Sequence, residues 1–301
     1  YQFSSQKAQL VWLDRSGKKV GTAGDPDTFG SIALSPDGKR ALTSMYDADG
    51  RPSDIWIVDF SRPARSRLTF DPYSDGEAIW SPDGNQIVFT SNRGDNGHTN
   101  LYITSANSSG NDQKLLVADA EDIPTSWSKD GQYILITRWM NGRASIWVLR
   151  PNIDTEAKPV LQSSAFDQGT GIFSPNGRFI AYTTNESGKY EVQVQTFPPS
   201  GPKWPVSSDG GVLPLWRADG RELFYLTLDG KVMAVDVKTE TNFESGTPKE
   251  LFQADIKQGA GLPYGVTPDG SRFLIKTPAN KSAATPLVVI SNWTARLKQK
   301  Q

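Results

Sequence analysis

Five acidic residues stand just ahead of short apolar runs: Asp75 and Glu77 in SDGEAIW, Glu121 and Asp122 in AEDIPTSW, and Asp167 in FDQGTGIF. Carboxylates brought to one place have three uses. They hold an oxygen-liganded cation such as Ca2+ or Mg2+, they meet cationic groups of a ligand, or two of them work as a glycosidase pair about 5 to 10 Å apart. Other chemistry is narrowly bounded. The chain has no cysteine, which removes disulfides, thiolate zinc sites and cysteine nucleophiles. It has one histidine, His98, so no histidine cluster can form and a Ser-His-Asp triad has a single seat. No GxSxG elbow accompanies it. His98 is therefore read as an exposed loop histidine. The loop YDADGRPSD, residues 46–54, carries Asp47, Asp49 and Gly50 like the opening of a calcium loop. It lacks the later spaced ligands and the closing glutamate, and reads as a polar hairpin loop.

The elements that must position these acids are announced by a recurring turn. The four-residue motif appears as SPDG twice, then SKDG, SPNG, RADG and TPDG. Its polar residues are Asp37, Asp83, Asp130, Asn176, Asp219 and Asp269, at spacings of 46, 47, 46, 43 and 50. Pro36 and Pro82 preset φ for a type I turn, the Asp or Asn bonds nearby backbone, and Gly38, Gly84, Gly131, Gly177, Gly220 and Gly270 accept the positive φ that follows. Each turn is preceded by a piece ending in a large residue (AIWS, TSWS, GIFS, PLWR) and followed by a β-branched and aromatic run such as QIVFTS or YILITR. A third run (DIWIVDF, NLYITSA, SIWVLRP) and a fourth (SRLTF, QKLLV, KPVLQ) complete each unit. Runs of four to seven residues between turn signals read as strands.

A four-strand unit every 40 to 50 residues is the pattern of a propeller blade. The prediction is an all-β, six-bladed β-propeller of four-stranded antiparallel blades, as one domain over residues 1–301, with seven blades as the alternative. The N-terminus supplies QLVWLDR and KKVGTAG, a third and fourth strand without their first two, and the C-terminus ends in PLVVISNW. A ring closed by strands from both ends is expected. Closure removes exposed sheet edges. The residues before the turns, Leu34, Trp80, Trp127, Phe173, Trp216 and Val266, are expected to pack between blades. Asp boxes of sialidase-type propellers place Ser-x-Asp-x-Gly-x-x-Trp at a different spacing, so these turns are read as structural. The five acids precede the innermost strands and are predicted at one mouth of the central channel.

With the units laid out, AIWSPDGNQIVFTSNRGDNGHTNLYIT and LTFDPYSDGEAIWSPDG resemble the TolB-type, WD40-like propeller repeat. The resemblance runs through nearly the whole chain. A narrower one joins FSPNGRFIAYTTNESGKYEVQVQTFPPSGPKWPVSSDGG and WRADGRELFYLTLDGKVMAVDVKT to propeller modules that sit C-terminal to serine/threonine kinase domains in acidobacterial proteins. It implies an extracytoplasmic sensor or protein-binding module, fused to or paired with a kinase domain. No glycine-rich loop with its lysine, no HRD and no DFG is present in this chain.

Lys plus Arg is 32 and Asp plus Glu is 33, which argues against a nucleic-acid surface. No run of eighteen apolar residues is present, so no membrane insertion by this chain is expected. The functional expectation is a non-catalytic propeller holding a protein, peptide or small polar ligand at its channel mouth, without a cofactor; Ca2+ is the metal the rim acids suit. Two enzyme-related alternatives stand beside it. One is a polysaccharide hydrolase or lyase using the channel carboxylates; the other is a regulatory propeller of a peptidase.

Overall fold

The computed structural model describes residues 7–46, 52–62, 64–94, 97–107, 112–256 and 262–279. Among them are twenty-five strands and no helix. The chain opens with β1 (Ala8–Asp14) and β2 (Lys19–Asp27). The first blade is β3 (Phe29–Leu34), β4 (Arg40–Met45), β5 (Asp54–Asp59) and β6 (Arg65–Arg67). The second is β7 (Asp75–Trp80), β8 (Gln86–Ser91), β9 (Asn100–Ser105) and β10 (Gln113–Leu116). The third is β11 (Glu121–Trp127), β12 (Ile134–Met140), β13 (Arg143–Leu149) and β14 (Lys158–Leu161). The fourth is β15 (Gln168–Phe173), β16 (Phe179–Thr184), β17 (Glu191–Thr196) and β18 (Trp204–Pro205). The fifth is β19 (Val212–Trp216), β20 (Glu222–Leu226) and β21 (Lys231–Lys238), with β22 (Glu244–Ser245) and β23 (Lys249–Gln253) both pairing β21. The closing blade runs β2-β1-β25-β24, with β24 (Tyr264–Val266) and β25 (Arg272–Pro278) from the far end of the chain.

Six antiparallel blades thus form the propeller, as the turn spacing predicts, and the seven-blade alternative falls away. The N-terminal hairpin supplies the two outer strands of the closing blade. Ala8 to Asp14 pair residue by residue with Pro278 to Arg272. The PLVVISNW segment and the loop residues Asp47, Asp49 and Gly50 lie outside the described residues.

Cohesion comes from six apolar clusters, one between each pair of adjacent blades. Leu42, Ile55 and Ile57 of the first blade meet Trp80, Ile87 and Phe89 of the second. Leu10 and Trp12 of the closing blade meet Ile32 and Ala41 of the first. Ile87 and Phe89 are fully buried, each contributing roughly 2–3 kcal/mol. Each residue before a turn joins the cluster facing the preceding blade, and Trp80 also donates its indole N–H to the Ala33 carbonyl there at 3.0 Å.

The turns share one internal bonding scheme. In the second blade the Ser81 hydroxyl donates to Asp83 Oδ1 at 2.5 Å and accepts the Gln86 N–H at 2.9 Å, while Asp83 Oδ1 takes the Asn85 N–H at 3.1 Å. Ser35, Ser128 and Ser174 do the same in their blades, and Thr267 substitutes in the closing one. In the fifth blade Arg217 takes the place of the hydroxyl and grips Asp219 with two nitrogens, at 2.7 and 2.8 Å. These bonds favour ionised carboxylates. Asp37, Asp83 and Asp130 are held below the usual range chiefly by their serines, and Asp269 is brought to about 2 by Thr267 and Ser271.

Candidate functional site

The strands β3, β7, β11, β15, β19 and β24 surround the axis and enclose a central cavity of about 730 Å3 lined from every blade. A second cavity of about 400 Å3 shares Ile123, Thr125, Trp139, Thr170 and Leu213 with it and continues the channel toward the mouth where the inner strands begin. Counting four residues back from the first residue of each turn gives Ser31, Glu77, Pro124, Thr170, Leu213 and Pro263. All six face these cavities, and Glu77 is the one ionisable member of the ring.

A break in strand pairing creates this ring. Register slips occur between Gly76 and Ile79, between Gly169 and Ile172, and between Val212 and Leu215. Within them Glu77, Thr170 and Leu213 adopt φ of 33°, 49° and 55°. A bulge re-aims the side chain at its centre, and non-glycine residues with positive φ persist only where surrounding contacts impose them. Here the neighbouring blade supplies the contact. Thr170 N donates to Thr137 Oγ1 at 2.8 Å and Leu213 N donates to Thr183 Oγ1 at 3.1 Å. The hydroxyl sits nine residues after the first turn residue of its blade; in the closing blade that place belongs to Lys276.

Four of the five acids read from the sequence have strong partners of their own. Asp75, fully buried, meets Arg93 at 2.9 Å, and the same guanidinium also holds Asp71 and Asp112. Burial still pushes the Asp75 carboxyl up. Asp122 is 1 % exposed and takes two nitrogens of Arg138 at 2.7 Å each. Asp167 accepts the Ala144 N–H, the Asn185 amide and the Tyr190 hydroxyl, each at 3.2 Å. Glu121 bridges to the second blade through the Thr99 hydroxyl at 2.6 Å and His98 Nδ1 at 3.2 Å. Burial pushes Glu121 up, but the Thr99 and His98 bonds outweigh it and leave the carboxyl below its ordinary value. The single histidine is accordingly a part-exposed loop residue tied to Glu121.

Glu77 differs. Burial in the channel wall pushes its carboxyl up, and the Ser31 hydroxyl and the charge of Lys276 offset this only in part. Lys276 spends a proton on the Gly30 carbonyl at 2.8 Å, and among the described residues no ion pair joins it to Glu77. Burial outweighs Glu77 for the lysine too and lowers its pKa. Glu77 was legible as a candidate acid. Ser31, Trp139 and Lys276 were not singled out, though aligning the repeats on their turns places Ser31 opposite Glu77 and Lys276 opposite the threonines. Among the described residues, no group of three or more His, Cys, Asp or Glu is gathered to hold a metal ion.

The mouth carries exposed apolar side chains among its charges. Among the described residues ten large hydrophobic side chains are exposed. Eight of them lie at this end: Tyr46, Phe70, Tyr73, Val117, Tyr190 and Leu228 on loops entering an inner strand or joining the second and third strands, and Trp139 and Met140 at the end of β12. Val20 and Ile153 lie at the opposite end.

The model of the PD40 family, the TolB beta propeller domain, matches residues 1–200. The Tol-Pal system protein TolB of Anaeromyxobacter dehalogenans is 32% identical over 117 residues, 38% of this chain and 26% of that protein. The uncharacterized peptidase YuxL of Bacillus subtilis is 26% identical over 214 residues, 56% of this chain and 32% of that protein. The chain therefore spans about a quarter to a third of these relatives' own length. Among solved structures, one described as a TolB from Agrobacterium tumefaciens superposes with a TM-score of 0.70 at 14% identity, covering 90% of this chain and 98% of that one. An oligogalacturonate lyase in complex with manganese superposes at 0.56 and 12% identity, covering 91% and 97%. At these identities the structural likeness shows the fold alone.

Proposed function

From the premise that this chain belongs to the TolB β-propeller family, we propose that it is a non-catalytic protein-binding module that receives a polypeptide segment at its channel mouth. The observation that carries this reading is that eight exposed apolar side chains lie at one end of the propeller, three of them, Trp139, Tyr190 and Leu228, lining the largely apolar cavity at the channel's opening. Interfaces are enriched in Tyr, Trp, Phe and Met, and loops held on a rigid scaffold are the usual carriers of binding. Four of the five acids on which a hydrolase or lyase would draw are engaged with arginine, amide or hydroxyl partners, and a glycosidase needs a pair. The resemblance to TolB-type and kinase-linked propellers supports an extracytoplasmic placement within a larger protein. No helix among the described residues is long and apolar enough to cross a membrane. The match to a peptidase supports a second reading, a propeller that admits segments to a neighbouring peptidase.

A photo-crosslinking residue placed at Trp139 tests the proposal against the same residue at Ile153 on the opposite end. Cross-links to one discrete partner protein from Trp139 and none from Ile153 are expected. Turnover of oligogalacturonides or of peptide substrates by the chain alone would overturn the non-catalytic reading.

A further inference from the structure

We propose that Glu77 makes the channel selective for an alkylammonium or alkylguanidinium group, the end of a lysine or arginine side chain carried on an otherwise apolar segment. The inference rests on the channel-binding reading above and gives its occupant a chemistry. Three observations carry it. First, Glu77 is the one ionisable residue in the ring of six, and its backbone sits in a bulge at φ 33°. Second, it has no cationic partner within ion-pair distance among the described residues, whereas Asp75 and Asp122 each have an arginine. Lys276, the nearby ammonium, donates to Gly30 O instead. Third, the walls around it are apolar and aromatic, with Trp80, Trp127, Trp139 and Trp216 lining the same cavity.

A charge held in apolar surroundings without a counter-ion is costly and is compensated by pairing. An incoming cation supplies the pair, its methylene stem covers the apolar wall, and indole faces attract the same charge. A neutral apolar group of the same length gains only the wall contacts. A single carboxylate does not make a calcium or magnesium site, which takes six or more oxygens.

The test uses three probes that share one tail: n-hexylamine, n-hexylguanidine and 1-hexanol. Binding at pH 7.5 is followed by the fluorescence of the channel tryptophans. At least one cation is expected to bind tenfold or more tightly than hexanol, and the stronger of the two identifies lysine or arginine as the source. Glu77→Gln should reduce cation binding to the hexanol level while leaving hexanol unchanged within twofold. Lys276→Met, which removes a competing ammonium, should strengthen cation binding. Equal binding of cations and hexanol, a preference that survives Glu77→Gln, or weaker cation binding in Lys276→Met would each overturn the inference. Hexanol binding without charge preference would do so while leaving channel binding intact. Loss of the Trp139 cross-links with the charge preference retained would instead remove the protein-binding reading and leave a small-cation site.

Discussion

Glu77 is a residue whose cost to the fold can be measured. Its carboxyl titrates above the ordinary value of 4.5 because burial outweighs Ser31 and Lys276. A raised carboxyl means that the folded chain holds the proton more tightly than the unfolded one. Its relative stability is therefore full below about pH 4.5 and falls as pH rises through the folded value. Glu77→Gln removes this penalty. Its melting temperature should exceed that of the natural chain at pH 7 by roughly 2 °C, and the difference should vanish near pH 4. Scanning calorimetry at the two pH values checks this; a gain that is larger at pH 4 contradicts it. Stability gained where binding is lost is the usual trade at a working site. The acids themselves were legible in the sequence because they stand ahead of the apolar runs; the structure extends the inner strands back over four of them, Asp75 and Glu77 in β7 and Glu121 and Asp122 in β11, and leaves only Asp167 before its strand. Their partners were not, since Arg138 opposes Asp122 only through the pairing register of β11 with β12. What separates Glu77 from the rest is a slip in the pairing of β7 with β8, which the repeat pattern does not announce.

At the scale of the element, the turns were the most legible feature, because Ser, Pro, Asp and Gly act through bonds spanning five residues. What the sequence concealed is that the turns also touch one another. A methyl group on Gly38 would stand 2.8 Å from Pro268 of the closing blade's turn, and one on Gly270 would stand 2.7 Å from Arg217 Cδ. On Gly131 it would meet nothing within 4 Å. All three glycines have φ near 70°, so alanine costs about 1 kcal/mol in each from backbone strain alone. Gly131→Ala should lose about that much, and Gly38→Ala roughly 2–3 kcal/mol because a proline ring must also move. Urea unfolding of the two variants reads the difference, and equal losses would contradict contact between turns. The exposed turn carboxylates add an acid signature. Their pKa values are lowered, so their contribution is present above the unfolded value near 3.8 and fades as pH falls toward the folded value, about 2 for Asp269.

At the scale of the whole molecule, closure is the feature on which the ring depends. An N-terminal hairpin without its inner strands pointed to it in the sequence, and β1 against β25 realises it. Gln9 and Thr277 are register partners there, and the chain has no cysteine to compete. The pair Gln9→Cys and Thr277→Cys should therefore form a disulfide across the seam. Tying a loop of that length raises stability by up to about 5 kcal/mol. Thermal unfolding with and without a reductant measures the gain, and no difference would mean that the seam stays shut in the denatured chain or is strained by the bond.

The seam also imposes an order in time. β1 ends at Asp14 and its partner β25 begins at Arg272. A ribosome adding about 5 to 20 residues per second needs on the order of tens of seconds to travel between them. Throughout that interval β1 waits with one edge unpaired, while five blades are completed behind it. β1 is made before all five of those blades and completes its pairing only after them, and a chain that stops short of β25 carries an open sheet edge that marks it as unfinished.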